Sequence, residues 1–239
     1  MNQKMLLILA VFVGIPLLGV SPVSANTVIV GLPPDPGSGN SFPFGSAYNA
    51  EYQQVYSSSD FAGAMSITGL EFYNTQFNSG STSLPTGTFT ISLSTTSVGP
   101  STIGGHFAGN IGGDNTQVFS GSIAQSWTFG NTLFIAFSTP FTYNPGNGNL
   151  LLDVVGSGVS TPGGSTFFDV NSTGSNTFSR VYCSGGVGCD PGTVNVNYGL
   201  VTGFEFQPVP EPGTITLAAL GILGTFFLLR MWVRRRGQI

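Results

Sequence analysis

The stretch TFTISLS, residues 88–94, alternates hydroxyl side chains with the apolar side chains of Phe89, Ile91 and Leu93. A repeat of two residues places the apolar side chains on one face of a β-strand and the hydroxyls on the other face. The same alternation recurs at Phe204-Glu205-Phe206. The pattern therefore predicts strands that each bury one face.

Further short apolar runs, separated by turn residues such as Pro145-Gly146-Asn147-Gly148, extend this prediction along the chain. The predicted strands cover residues 66–73, 117–123, 132–137, 150–155 and 193–198. Leu133–Phe137 and Leu150–Leu152 are apolar on both faces, so we expect both to lie at the centre of a sheet. The sequence predicts an all-β fold, with a single β-sandwich or jelly-roll-like domain over residues 26–207.

The charges are few and unevenly placed. Charged residues make up 7% of the chain, against about 25% in an ordinary soluble domain. Between Asn26 and Val209 a single base, Arg180, stands against nine carboxylates. Such a body cannot neutralise a run of phosphates, which excludes nucleic acid as a partner. The hydroxyl and amide surface can hydrogen-bond sugars, but it is also typical of secreted β-proteins in general.

The N-terminus has the pattern of a secretory signal. Lys4 precedes an apolar stretch, and small residues lead to Ala25. This arrangement predicts a signal peptide over residues 1–25 that is cut after Ala25. The alternative is a retained membrane anchor, which the interruption at Pro16 and the small-residue cleavage site disfavour.

The C-terminus predicts a membrane-spanning helix. Residues 213–229 contain no charged side chain and would form about 25 Å of helix, which the following residues extend to the thickness of a bilayer. A basic cluster then predicts a cytoplasmic stop, and a buried core helix is disfavoured by the same cluster. Its residues are Arg234, Arg235 and Arg236. Both ends thus predict a body outside the cytoplasm.

A proline-rich segment precedes that helix. Its residues Val209, Pro210, Glu211 and Pro212 predict a stiff, extended spacer. The spacer, the uncharged helix and the arginine cluster, in this order, resemble the PEP-CTERM sorting signal of bacterial proteins. The resemblance covers Val209 to Arg236, with Pro210-Glu211-Pro212 as the core of the motif, and predicts a sorting tail over residues 208–239.

The resemblance implies export in a Gram-negative bacterium and recognition of the tail by an exosortase, a membrane cysteine protease or transpeptidase. It implies a single-pass inner-membrane protein before processing and a protein of the cell envelope or extracellular matrix afterwards. Because this family occurs in bacteria that make exopolysaccharide, exopolysaccharide is a further expected partner.

Cys183 and Cys189 are the two cysteines of the chain. An even number of cysteines in an exported protein predicts a disulfide. A redox site would usually have the C-x-x-C spacing, and a zinc site needs more ligands than these two thiols and the distant His106.

The sequence predicts no catalytic residue, no cofactor and no metal. His106 is the sole histidine, and the chain has neither a G-x-S-x-G nor an H-E-x-x-H motif. Asp114, in Gly112-Gly113-Asp114-Asn115, resembles one unit of a glycine-rich calcium loop, but a single unit cannot stack. Calcium binding is left open at this point.

The leading interpretation is therefore an exported, non-enzymatic protein. An alternative is a carbohydrate-binding module that uses exposed aromatic rings, although the same rings could equally belong to the core. The candidate rings are Tyr48, Tyr52, Tyr56 and Trp127. A third interpretation is a glycoside hydrolase or lyase that uses two of the scattered carboxylates.

Overall fold

The computed structural model describes residues 26–173, 176–183 and 188–209. Twelve strands lie in these ranges: β1 (Asn26–Val30), β2 (Glu51–Tyr56), β3 (Met65–Tyr73), β4 (Thr86–Thr96), β5 (Thr116–Gly121), β6 (Thr132–Tyr143), β7 (Asn149–Ser160), β8 (Val170–Asn171), β9 (Phe178–Tyr182), β10 (Thr193–Val196), β11 (Gly199–Leu200) and β12 (Thr202–Pro208). Short 3₁₀ helices occupy Ser58–Asp60, Phe107–Asn110 and Pro145–Asn147.

The predicted signal peptide, the core of the predicted sorting motif, the predicted transmembrane helix and its arginine cluster lie outside the described residues. Within the described ranges, the structure has no helix with the length and apolar character needed to span a bilayer.

The strands form antiparallel sheets. One has the order β1-β12-β3-β6, a second has the order β10-β9-β2-β7-β4-β5, and β11 pairs with β8 in a small third sheet. The two large sheets pack face to face, since the rings of Tyr56 on β2 and Phe204 on β12 meet edge-on with centroids 4.9 Å apart. The predicted all-β sandwich is confirmed, with four and six strands in place of the eight strands of a jelly roll.

The alternating stretch that predicts the fold lies in β4. Phe89, Ile91 and Leu93 are fully buried, and Ile91 and Leu93 stand opposite Val154 and Leu152 of β7. Burying each such side chain contributes roughly 1.5–3 kcal/mol to folding. The alternation therefore directs one face of β4 into the space between the sheets.

The two segments predicted to lie at the centre of a sheet differ in their positions in the structure. Leu150–Leu152 lies in β7, between β2 and β4, and is fully buried as predicted. The prediction for Leu133–Phe137 is wrong, because β6 is an edge strand and Phe134 is 48% exposed. A side chain on Gly69 of β3 would meet the ring of Phe134, so this phenylalanine covers a glycine on the outer face of the sheet.

A third layer covers the outer face of the six-stranded sheet. The segment 97–115 crosses this face, and its Phe107 and Asn110 are buried. The Asn110 Nδ2 atom donates to Oε1 of Gln53 on β2 at 3.0 Å, and Gln53 Nε2 donates to the carbonyl of Phe107 at 3.2 Å. Polar side chains therefore join this layer to the sheet.

The two ends of the described body meet at one end of the four-stranded sheet. Asn26, the first residue of β1, pairs with Phe206 on β12, and Pro208 still pairs with Met65 on β3. The predicted signal cleavage site and the predicted sorting motif consequently adjoin the same end of the sandwich.

Candidate functional site

An acid pair lies on the outer face of the six-stranded sheet. Gln53 on β2 stands opposite Asp153 on β7, and Glu51 shares the face of Gln53 because alternate residues of a strand point the same way. Gln53 Nε2 donates to Glu51 Oε1 at 3.2 Å. The strand pairing thus brings Glu51, Gln53 and Asp153 together.

The surroundings of the pair favour its protonated form. Burial, together with the charge of Asp153 and a hydrogen bond that a protonated Glu51 donates to it, raises the pKa of Glu51 to about 7. Burial raises the pKa of Asp153 to about 6. The Asp190 carboxylate also raises the pKa of Glu51. The pair therefore keeps a proton at pH values below about 7, where separate carboxyl groups would already be ionised.

Glu51 also faces open space. It lines a cavity of about 340 Å³ and a second cavity of about 520 Å³, which reaches Val155 and Ser157. The smaller cavity is also bordered by Phe107, Ala108, Ile111, Cys183, Gly188, Cys189 and Asp190. A small ligand that enters either cavity would contact Glu51.

The predicted disulfide between Cys183 and Cys189 is confirmed and forms one wall of the smaller cavity. The backbone N–H of Cys183 donates to the Tyr48 hydroxyl at 2.8 Å. That hydroxyl donates to the carbonyl of Glu51 at 2.5 Å. Tyr48 therefore ties the end of β9 to the start of β2 and fixes the backbone that carries Glu51.

His106 lies in a surface loop beside this cavity. Its Nδ1 atom contacts Asp190 Oδ1 at 3.0 Å, and both side chains are more than half exposed. In the part of the chain that the structure describes, no hydroxyl or thiol is hydrogen-bonded to the ring. A nucleophile and base of the Ser-His-Asp type are therefore not assembled in these residues.

The structure also bears on the two other roles considered for carboxylates, a calcium loop at Asp114 and a pair of glycosidase acids. Oδ1 of Asp114 accepts a hydrogen bond from the backbone of Thr95 at 2.6 Å, so this residue holds a loop in place. The register of β2 and β7 makes Glu51 and Asp153 diagonal neighbours on one face of the sheet. Across residues 26–173, 176–183 and 188–209, no three His, Cys, Asp or Glu side chains converge on one point.

The four aromatic rings proposed for sugar contact are buried, and that prediction is wrong. Tyr48 and Trp127 are 4% exposed, and Tyr52 and Tyr56 are fully buried. Their polar atoms are used internally: the Tyr52 hydroxyl donates to Gln54, and Trp127 Nε1 donates to Asn74. These rings belong to the core and cannot stack on a sugar.

A different aromatic pair does reach the surface. Phe77 is 40% exposed, and its ring packs on Phe167 with centroids 4.9 Å apart. Both rings line a cavity of about 340 Å³ together with Asp35, Ser38 and Tyr198. Apolar rings beside hydroxyl and carboxylate groups are a combination suited to binding a neutral polar ligand.

The chain leaves the sandwich directly from β12. Val209, the last described residue, is exposed and follows the last paired residue of the strand. A family profile for the PEP-CTERM protein-sorting motif matches residues 208–236. The chain contains a PEP-CTERM sorting domain. This motif marks an exported protein that an exosortase processes.

Other comparisons add little to the PEP-CTERM assignment. No curated protein matches the chain significantly. Among solved structures, the chain is similar to one in "Crystal structure of the T13 IBDV viral particle reveals a missing link in icosahedral viruses evolution", at 12% sequence identity and a TM-score of 0.22. That alignment covers 84% of this chain and 45% of the other. With so low a TM-score, it supports no conclusion about the fold or the function of the PEP-CTERM protein.

The sequence predictions for this PEP-CTERM protein missed the acid pair. Glu51 and Asp153 are distant in sequence, and only the pairing of β2 with β7 joins them. One signal was present: Asp153 interrupts the apolar run Leu150-Leu151-Leu152-Asp153-Val154. A carboxylate within a strand that is apolar on both faces indicates a buried polar site.

Proposed function

We propose that this PEP-CTERM protein is a non-enzymatic component of the cell envelope or extracellular matrix, whose β-sandwich is delivered by its tail and released by exosortase processing. The observation that carries the proposal is the continuity of β12 with the sorting motif. Pro208 is still paired with Met65, and the motif begins at residue 208.

The spacing favours processing close to the folded domain. Pro210 is two residues beyond the last strand pair, a reach of about 7 Å for extended chain. Because Asn26 lies beside Phe206, the predicted signal cleavage site adjoins the same end. This arrangement supports an orientation in which this end of the domain faces the membrane. The two cleavages would then release the domain from that membrane.

The lack of exposed basic residues in the body suggests that the protein attaches to the membrane only through its tail. Arg180, the one Lys or Arg between residues 26 and 209, is 4% exposed. A surface without exposed lysine or arginine attracts neither anionic lipid nor acidic polysaccharide. After processing, the domain is therefore expected to leave the membrane and to contact neutral partners.

Expression in an exosortase-containing host, and in the same host lacking the exosortase, tests the proposal. The intact mass should show loss of the tail in the first host only. Replacing Pro210 and Glu211 with alanine should preserve the full-length, membrane-bound chain, whereas Gln207→Ala, just outside the core motif, should be processed normally. Loss of the tail in both hosts, or normal processing of the motif variant, would overturn the proposal.

A second candidate function is contact with neutral glycan at the Phe77–Phe167 cavity, which would account for association with exopolysaccharide. The exposed ring of Phe77, packed on the partly buried ring of Phe167 beside Asp35 and Ser38, favours it. Co-sedimentation with dextran and with the purified exopolysaccharide of the host tests this function. Phe77→Ala should weaken binding, and Phe134→Ala, which removes an exposed ring on β6, should not. Binding that is unchanged by Phe77→Ala would exclude this cavity.

A further inference from the structure

The sequence Asp-Pro-Gly occurs twice in the body of the protein, at residues 35–37 and at residues 190–192. A peptide bond between aspartate and proline is unusually labile in mild acid. The side-chain carboxylate can attack the carbonyl carbon of its own residue, and the proline nitrogen, which belongs to a tertiary amide without an N–H, leaves readily once it is protonated. Each copy is therefore a bond that the chain itself can break when a proton donor is close.

The sole histidine of the chain contacts the second copy. The Nδ1 atom of His106 lies 3.0 Å from Oδ1 of Asp190. Both side chains are more than half exposed, so water has access to them. Because the ring contacts Oδ1, the other oxygen of the carboxylate, Oδ2, is left to act as a nucleophile.

The loop that carries His106 also contacts the proline side of the Asp190–Pro191 bond. The backbone N–H of Gly192 donates to the carbonyl of Gly105 at 2.8 Å. A Cβ atom on Gly105 would lie 3.0 Å from Cβ of Pro191, so the backbone of the loop packs directly against the proline. Residues 105 and 106 therefore hold the carboxylate and the proline together around one peptide bond, which is the position that a general acid requires.

We propose that the Asp190–Pro191 bond is a self-cleavage site at which His106 acts as the general acid. Oδ2 of Asp190 attacks the carbonyl carbon of the same residue and forms a five-membered cyclic anhydride. The bond from that carbon to the Pro191 nitrogen breaks, and the nitrogen takes the proton that the His106 imidazolium gives up. Water then opens the anhydride to two carboxyl groups, whose protons pass to the proline amine and restore the imidazolium.

The first copy of the sequence lacks this proton donor. Asp35 is followed by the same two residues as Asp190 and can form the same anhydride. Within residues 26–173, 176–183 and 188–209, however, no basic side chain lies at ion-pair distance from Asp35. A positioned general acid typically accelerates a reaction by roughly 10²–10⁴-fold. We therefore expect the Asp35–Pro36 bond to break more slowly than the Asp190–Pro191 bond.

Cleavage would cut the covalent link between most of the sandwich and the sorting tail without separating them. The piece after Pro191 contains β10, which pairs with β9, and β12, which lies between β1 and β3. Cys183 and Cys189 both precede the cut, so the disulfide does not join the two pieces. Strand pairing alone would hold them. This cut needs no exosortase, and it lies before β12 rather than after it, so it does not depend on the proposed function.

Incubation of the full-length chain in detergent at about pH 5.5, where free imidazole is protonated and free carboxylates are ionised, tests the proposal. The chain is produced without an exosortase, and its mass is followed under denaturing conditions. Fragments that end at Asp190 and begin at Pro191 should form at least about tenfold faster than those from cleavage after Asp35. His106→Gln should slow cleavage to the rate at Asp35, and Asp190→Glu, which cannot form the five-membered ring, should abolish it.

Concentrated urea gives a control that does not require any variant to fold. Unfolding removes the contact between His106 and Asp190, so both Asp-Pro bonds should then break at the same rate. Equal rates at the two bonds in the folded chain would refute the proposal, as would a His106→Gln variant that is cleaved as fast as the native chain. A difference between the bonds that persists in urea would show that local sequence, and not the histidine, sets the rate.

Discussion

Gln53 on β2 stands directly opposite Asp153 on β7, and both polar side chains are buried on the outer face of the six-stranded sheet. Gln53 reaches Glu51 on one side and receives a hydrogen bond from Asn110 on the other. This one strand pair therefore connects the acid pair to the segment that covers it. The energetic consequences of that connection can be measured.

Raising the pH should weaken the fold. The pKa of Glu51 is raised to about 7 and that of Asp153 to about 6, in both cases first of all by burial. The folded chain thus binds these protons more tightly than the unfolded chain, so their contribution to stability is complete at low pH and is lost as the pH rises through 7. After allowance for solvent screening we expect a loss of about 2 kcal/mol between pH 4.5 and pH 8.

Urea unfolding in EDTA over this pH range measures the effect. Glu51→Gln should flatten the dependence, and Glu205→Gln should leave it as it is. Burial also raises the pKa of Asp60 to about 6, so Asp60→Asn should remove a separate part of the slope. A native chain that gains stability between pH 5 and pH 8 would contradict the assignment.

Arg180→Lys should destabilise the fold more than Arg180→Met does. The guanidinium lies 4.5 Å from the ring centroid of Tyr182 and 4.3 Å from that of Tyr198, and it donates twice to Asn195. A lysine would keep the buried charge but lose the stacked, forked contacts. We expect Arg180→Lys to cost about 3 kcal/mol and Arg180→Met about 1–2 kcal/mol.

Chemical denaturation at pH 7 compares these two variants of Arg180. Within the described ranges, no carboxylate lies at ion-pair distance from the guanidinium, so removing the charge leaves no partner stranded there. Equal stability of Arg180→Lys and the native chain would show that the aromatic contacts contribute little.

Removal of the Asn110 side chain should loosen the covering segment while the sheet stays intact. This amide is 2% exposed and is hydrogen-bonded to Gln53 and to the backbone of Gly104 at both its oxygen and its nitrogen. Asn110→Ala should cost about 1–3 kcal/mol, since buried partners are left unsatisfied. Hydrogen exchange should accelerate in residues 103–112 and stay slow in β7. The exposed Asn115→Ala is the matched control, and faster exchange throughout β7 would count against a local role.

Loss of the disulfide should have a moderate effect. The loop that Cys183 and Cys189 close is short, and a short loop gains little from cross-linking, about 2 kcal/mol in the chain-entropy model. The double variant Cys183→Ser, Cys189→Ser should unfold at the same urea concentration as the reduced native chain. If reduction leaves the midpoint unchanged, the bond does not stabilise the fold.

Single strands show how far local pattern could predict this fold. The alternation at residues 88–94 predicts β4, and Phe89, Ile91 and Leu93 are buried as expected. β2 was not predicted, because its sequence EYQQVY has two glutamines at its centre. Gln53 and Gln54 are nevertheless fully buried, since partners from the covering segment and from Leu200 satisfy their amides.

The sequence by itself determined the features that depend on local order along the chain: the sorting motif, the cysteine pair, the scarcity of bases and the strands with a clear repeat. The tertiary structure alone decided which strands are central, which rings are buried and which carboxylates meet. The physical reason is that a repeat of two residues determines which side chains lie on each face of a strand, but it does not determine which other strand pairs with it. Glu51 meets Asp153, and Tyr56 meets Phe204, only after distant strands have paired and the sheets have packed.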